Sequence, residues 1–422
     1  MTQGSMSHGN MTHDRRIIPF INVAHSFTHY ALLVLPTAVL AMTEPGGAFG
    51  TEYGPILALA TGMFVLYGLF SLPQGWIAQR VGRPALMAVF FVGTGLSMVA
   101  TGFAGSPWML ALALAATGLF ASIYHPIGTA MLVDAAGDRP GRAIGINGVC
   151  GNLGVALAPV MTAFLAHQGG WRLAFLVPGA ICAVVGLAWM RMPSPEASIR
   201  RAARPFPEIP RHLVRRAVVV LLLIAVVSGL VFNAFTLLLP KLMQERLGST
   251  PDLLPLVGAA AFAATLCGAL TQFTVGRMID RHTLRRVFLP ISAFLVPGLV
   301  AVSFAPGWLV LPCAALVSAG IFGQVTVNET MTARYISPAL RARMYSVRFF
   351  VGFVGAAAAP PVVAWFYEHT GSLAAVTLMM AGFGVNTLLC ALAFPNRREE
   401  LAPELWAAAA SPGAVPAPVA AE

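Results

Sequence analysis

Long apolar runs separated by short polar turns dominate the chain, and a run of about 20 residues is what a helix needs to cross a bilayer. Such runs occupy 17–42, 54–77, 84–103, 107–135, 142–167, 172–192, 217–241, 253–277, 286–305, 308–333, 344–368 and 373–394. Connections as short as Ala104 to Ser106 and Ala305 to Gly307 force neighbouring helices into antiparallel hairpins. One long internal break, Arg191 to Arg216, is basic and Pro-rich and divides the spans six and six. The expected layout is a polar N-terminal tail (1–16), a six-helix bundle (17–192), a basic linker (193–216), a second six-helix bundle (217–394) and a disordered Ala/Pro-rich tail (395–422). The predicted fold is an all-α membrane protein of twelve transmembrane helices.

The two halves repeat. At a spacing of 201 residues, Arg142, Gly151, Gly154, Ala158 and Pro159 recur as Arg343, Gly352, Gly355, Ala359 and Pro360. The same spacing carries Gly75, Gln79 and Arg80 onto Gly276, Asp280 and Arg281. Two distant segments sharing one spacing imply a duplicated bundle, an arrangement found in transporters. Small residues at Gly148, Gly151 and Gly154, and again at Gly352 and Gly355, let another helix approach closely, whereas Pro159 and Pro360 bend the outer ends.

Composition sharpens this picture. Only 10% of residues are charged and 57% are hydrophobic, with a mean hydropathy of +0.77, which excludes an ordinary soluble protein. The net charge of +10 reads as a topology signal, not as a nucleic-acid footprint. With the N-terminus inside, all but Arg172, Lys241, Arg246 and Arg348 of the 26 basic residues fall in cytoplasmic turns or tails. That bias sets both termini in the cytoplasm of a cell whose plasma (inner) membrane holds the protein. The five cysteines stand singly inside apolar runs, as small packing residues do. The opening residues lack a signal-peptide layout, so the first run is expected to remain as a span.

The paired turns GWIAQRVGR (Gly75 to Arg83) and GRMIDRHTLR (Gly276 to Arg285), with twelve spans and a basic central loop, resemble the major facilitator superfamily. Gly75, Arg80, Gly82 and Arg83 match its loop motif; Gln79 stands where that motif has an acid, and Asp280 supplies the acid in the second half. The resemblance implies that these residues latch helices together on the cytoplasmic side. Spans four and five, with Tyr124-His125-Pro126 followed by Gly-Asn-x-Gly and Ala-Pro, resemble the fosmidomycin-resistance-type transporters, and span five also resembles a glycine-rich antiporter motif. These likenesses imply export of a small organic molecule by alternating access, with spans one, four, seven and ten lining a central cavity.

Ionisable residues inside such spans are costly and therefore functional candidates. His25 and His29 lie four apart on one face of span one, roughly 12 and 18 Å from its inner end at the helical rise. His125 lies about 13 Å into span four by the same measure, so the three imidazoles are expected to converge on the cavity, with Tyr30 and Tyr124 supplying hydroxyls. Matching Pro36 with Pro240 places Asn233 at the level of His29. In span ten, Glu329 is a proton or substrate candidate or the partner of a loop arginine, and Asn328 faces the cavity beside it. Arg348 either reaches out to headgroups or attracts an anion. An HxxxH pair alone offers two ligands, so no metal site and no cofactor is expected. Without a GxxxxGK[ST] motif, a proton gradient is the expected energy source. The expected partners are a small-molecule substrate, protons and lipid, with the chain a monomer. Uptake of a small organic anion, and a histidine-using membrane enzyme or a sensor, are the competing readings.

Overall fold

The computed structural model describes residues 16–43, 49–136, 140–192, 207–401 and 406. Among them are twelve membrane-length helices: Ile18–Met42, Tyr53–Ser71, Arg83–Gly102, Pro107–Ala136, Ala143–Gly169, Leu173–Met190, Arg211–Leu247, Pro251–Ile279, Leu284–Phe304, Gly307–Tyr335, Val347–Thr370 and Leu373–Ala393. These are spans one to twelve. Large apolar side chains such as Phe103, Trp108, Leu112, Val184 and Leu270 lie exposed on the outside of the bundle, which is favourable only where the solvent is lipid. With helices alone satisfying their backbone hydrogen bonds internally, this is a multi-pass membrane protein.

Within each half the first span packs closely on the fifth. A Cβ at Gly154 would stand 2.2 Å from the Ser26 carbonyl oxygen, and a Cβ at Gly355 would stand 2.7 Å from the Leu230 amide nitrogen. Span five meets span eight across the halves, where a Cβ at Gly258 would stand 2.7 Å from the Pro159 carbonyl oxygen. Span two meets span eleven in the same way, Gly68 against Phe353. Two of the glycines expected to do this work do not: around Gly148 nothing lies within 4 Å of an added Cβ, and Gly352 has only the Ala225 carbonyl oxygen at 3.9 Å. Gly229, which the ladder reading passes over, faces the Gly352 carbonyl oxygen instead, at 2.2 Å from an added Cβ.

Several boundaries differ from expectation for identifiable reasons. Span seven begins at Arg211, because Arg211, Arg215 and Arg216 are good helix formers that extend the apolar helix beyond the hydrocarbon. Span four breaks between Ala121 and Tyr124. Pro126 has no N–H to offer the Ser122 carbonyl four residues back, and Ile123 makes a tighter bond to Phe120 instead. The break immediately precedes His125 and re-aims it.

The C-terminal tail is the largest correction. Asn396 accepts from the Thr283 hydroxyl at 2.6 Å. The buried Glu400 carboxylate accepts from the Leu284 amide at 2.9 Å and from the Tyr335 hydroxyl. Trp406 is buried edge-on to Tyr335. The start of this tail is thus docked, since an acid satisfies the free amides at the start of span nine. The segments before Arg16, from 193 to 206 and after Trp406 lie outside the described residues. Glu400→Ala is expected to leave two buried donors unpaired, costing about 1–3 kcal/mol, read as a lower melting temperature in detergent. Burial pushes the Glu400 carboxyl above its ordinary value. The stability this implies is full below the unfolded pKa and fades as pH rises through the folded one, so Glu400→Gln should lose less with rising pH than the parent.

Candidate functional site

His25 and His29 stand one turn apart on span one, and the break in span four carries His125 to them. Ring centroids are 5.0 Å apart for His25 and His29, 5.2 Å for His25 and His125, and 5.5 Å for His29 and His125. The three rings meet, and all are half-buried.

The trio is fixed from one side. His25 Nδ1 is 2.7 Å from the Asn147 carbonyl oxygen; a carbonyl can only accept, so Nδ1 carries the proton and Nε2 is left with a lone pair. His29 Nε2 donates to that lone pair at 3.2 Å. The Asn147 side chain is itself locked, accepting from the Tyr124 hydroxyl at 3.0 Å and donating to Asn22 Oδ1 at 3.0 Å. Tyr124 also stacks on His25, with centroids 4.9 Å apart. Gly151 makes the approach possible, because a Cβ there would stand 2.5 Å from the His25 ring.

Facing the trio from the other half is Phe349, stacked on His125 at 6.1 Å, while Tyr67 meets both His125 and Phe353. The imidazoles therefore sit at the boundary between the bundles. Tyr30 is not among them. One residue further along a helix turns by about 100°, and its buried hydroxyl lies beside Thr162 of span five.

On the opposite half, Arg348 of span eleven pairs with Glu329 of span ten and reaches Thr332 Oγ1 at 3.4 Å. Glu329 thus meets an arginine within a span, not a loop arginine, and Arg348 turns to it instead of to headgroups. Arg334, five residues further along span ten, donates to the Ile279 carbonyl oxygen at 3.0 Å. Asn328 is buried, its Oδ1 without a hydrogen-bond partner. Asn233 donates to the Gly229 carbonyl oxygen of its own helix at 2.8 Å.

Joins between the halves occur at mid-depth and at the ends of the spans remote from the termini. The Gly54 amide donates to Glu368 at 3.0 Å, and the Tyr53 hydroxyl donates to the Leu237 carbonyl oxygen at 3.3 Å. Deeper, Asn152 donates to Gln272, which in turn donates to the Phe322 carbonyl oxygen at 3.0 Å. The loop-motif residues make contacts within their own halves. Arg83 pairs with Asp134 at 2.6 Å, Arg80 lies over Trp76 at 3.9 Å, and Gly82, with φ +84°, ends the short helix that carries them. Gln79, Asp280 and Arg281 are exposed, and around Gly75 and Gly276 an added Cβ would meet nothing within 4 Å.

Sequence reading missed Asn22, Asn147, Asn152, Gln272 and Tyr67. A buried amide in an apolar run is the signal that could have found Asn147 and Asn152, which lie within a glycine-rich stretch read as packing alone.

A family model described as Major Facilitator Superfamily matches residues 26–268 and 243–418. The membrane sensor protein UhpC of Salmonella typhimurium is 29% identical over 176 residues, 41% of this chain and 37% of that protein; the match thus spans well under two thirds of the sensor's length. Multidrug resistance protein MdtG of Proteus mirabilis is 21% identical over 375 residues, 87% of this chain and 93% of that one. Among solved structures, a bacterial homolog to the human lysosomal transporter Spinster, in an inward-facing and occupied conformation, superposes with a TM-score of 0.67 at 16% identity. That likeness covers 90% of this chain and 96% of the other.

Proposed function

Because the chain belongs to the major facilitator superfamily, we propose that it is a secondary active transporter, exporting a small organic molecule across the plasma (inner) membrane in exchange for protons. The halves rock about a central site made by His25, His29 and His125 with Tyr124. The observation that carries this reading is the meeting of three imidazoles at mid-depth on the seam between two bundles, where packing alone calls for apolar side chains.

Direction rests on further support. Matched over most of its length, the relative MdtG is named for multidrug resistance, and spans four and five resemble fosmidomycin-resistance-type transporters. The basic residues crowd the side of the termini, which makes that side cytoplasmic. The joins from Gly54 to Glu368 and from Tyr53 to Leu237 then close the outer side, the state in which an exporter loads. The chain works as a monomer in this scheme.

The proton role falls to Glu329. Its carboxylate is 41% exposed while Arg348 is 11% exposed, so a proton can reach the acid while the guanidinium stays buried against it. Protonating Glu329 removes the carboxylate charge from its pair with Arg348 and weakens that tie between span ten and span eleven. In proteoliposomes with an imposed pH gradient, Glu329→Gln is expected to flatten the pH dependence of flux and leave substrate affinity within a few fold. A mutant with the parental pH profile would place the proton elsewhere. Absence of any gradient-driven flux across a panel of antibiotics and organic anions would remove transport itself.

A further inference from the structure

Among the described residues, three imidazoles cluster without a carboxylate in a lipid-soluble bundle, their nitrogens close enough to share one ion. A transition metal holds imidazole nitrogen at about 2.0–2.1 Å in a tetrahedral site. Two such nitrogens are then separated by roughly 3.3 Å; His25 Nε2 and His29 Nε2 lie 3.2 Å apart in a hydrogen bond, whose proton moves to His29 Nδ1 when an ion takes its place. One candidate nitrogen from each of the three histidines lies within 4.8 Å of the others, so binding an ion draws His125 in toward the pair.

The surroundings fit as well. Metal-bound histidines hand their second ring N–H to a backbone carbonyl or carboxylate, which fixes the tautomer and directs the lone pair. His25 does this through Nδ1 to the Asn147 carbonyl, and the Asn147 side chain is pinned in turn by Tyr124 and Asn22. Sequence alone offered the HxxxH pair and His125 at a similar depth; the fold brings the third ring against the pair.

We propose that His25, His29 and His125 form a binding site for a divalent transition-metal ion of the imidazole-preferring group, Zn2+, Co2+ or Ni2+. Three neutral ligands leave the ionic charge uncompensated and one tetrahedral position open. An anionic donor from a small organic molecule fills that position and offsets part of the charge, which makes the cargo a metal complex of a carboxylate. This last step rests on the transporter reading; binding of the ion does not.

The test uses the full chain in detergent, stripped of metal and with any affinity tag removed, titrated with Co2+. One equivalent is expected to give the visible ligand-field bands of tetrahedral cobalt, to be displaced by Zn2+, and to raise the melting temperature. His29→Gln and His125→Gln should each abolish the bands, whereas His282→Gln on the surface should not. Absence of bands and of stabilisation in the unmutated protein overturns the site, and so does a spectrum that survives in His25→Gln/His29→Gln/His125→Gln. Since that variant could misfold, the titration of the unmutated protein stands as the deciding measurement. Cobalt binding without flux in proteoliposomes supports the site and removes the transporter reading; flux without cobalt binding does the reverse.

Discussion

Gly154→Leu is expected to stop transport while deleting no chemical group. The added Cβ would stand 2.2 Å from the Ser26 carbonyl oxygen, a backbone atom that cannot swing aside, and the Ser26 hydroxyl is bonded to the Cys150 carbonyl oxygen at 2.7 Å across the same seam. Overpacking of this kind costs about 1–3 kcal/mol, relieved only by moving span one off span five. His25 belongs to the first and the Asn147 carbonyl to the second, so the shift breaks the bond that aims the imidazole trio. Gly148→Leu, three residues short of Gly151, meets nothing within 4 Å at its Cβ and should transport normally. Flux in proteoliposomes beside melting temperature checks both. Parental flux in the first variant, or equal losses in the two, would mean that the contact does not govern the site.

The same seam shows how far the sequence could be read. The recurrence of Gly151 and Gly154 as Gly352 and Gly355 located the packing helices, but only contact shows which partner each meets. Gly151 lies on His25 and Gly352 on Gly229; Gly154 lies on Ser26 and Gly355 on Leu230. Span one therefore aligns with span seven through the shift that pairs Pro36 with Pro240, and Asn233 is the counterpart of His29 in space. Where the first half carries imidazoles, the second carries glycine and an amide. The halves keep one scaffold and divide the chemistry between them, imidazoles on one side and the Glu329–Arg348 pair on the other.

What stayed hidden has physical causes. The spans were legible because lipid demands an apolar run of a fixed length, and the histidines because they break it. Tyr30 seemed to belong with His29 because depth is readable from sequence, whereas azimuth around the helix is set by the neighbour it meets. Gly148 looked like its companions because spacing does not say which face is covered. The docking of Asn396 and Glu400 onto the start of span nine could not be seen in the polar stretch PNRREE, because a helix N-terminus announces no partner from a distance in the chain.

His125→Ala should abolish flux with insertion and folding preserved. The ring stacks on Phe349 of the opposite bundle and lies against His25 and His29, so it is the member of the trio that both halves touch. Among the described residues no hydrogen bond depends on it as His25 depends on Asn147, and the neighbouring Tyr124 keeps its own bond to Asn147. Removal thus empties part of a half-buried site without stranding a buried donor, and melting temperature should fall little. His125→Phe sharpens the test, because an apolar ring of similar shape keeps the contact with Phe349 and discards only the nitrogens. If packing were the role of His125, the phenylalanine variant would transport and the alanine variant would not. If the nitrogens bind the cargo, both lose flux to background while the elution profile and the melting temperature stay close to those of the parent.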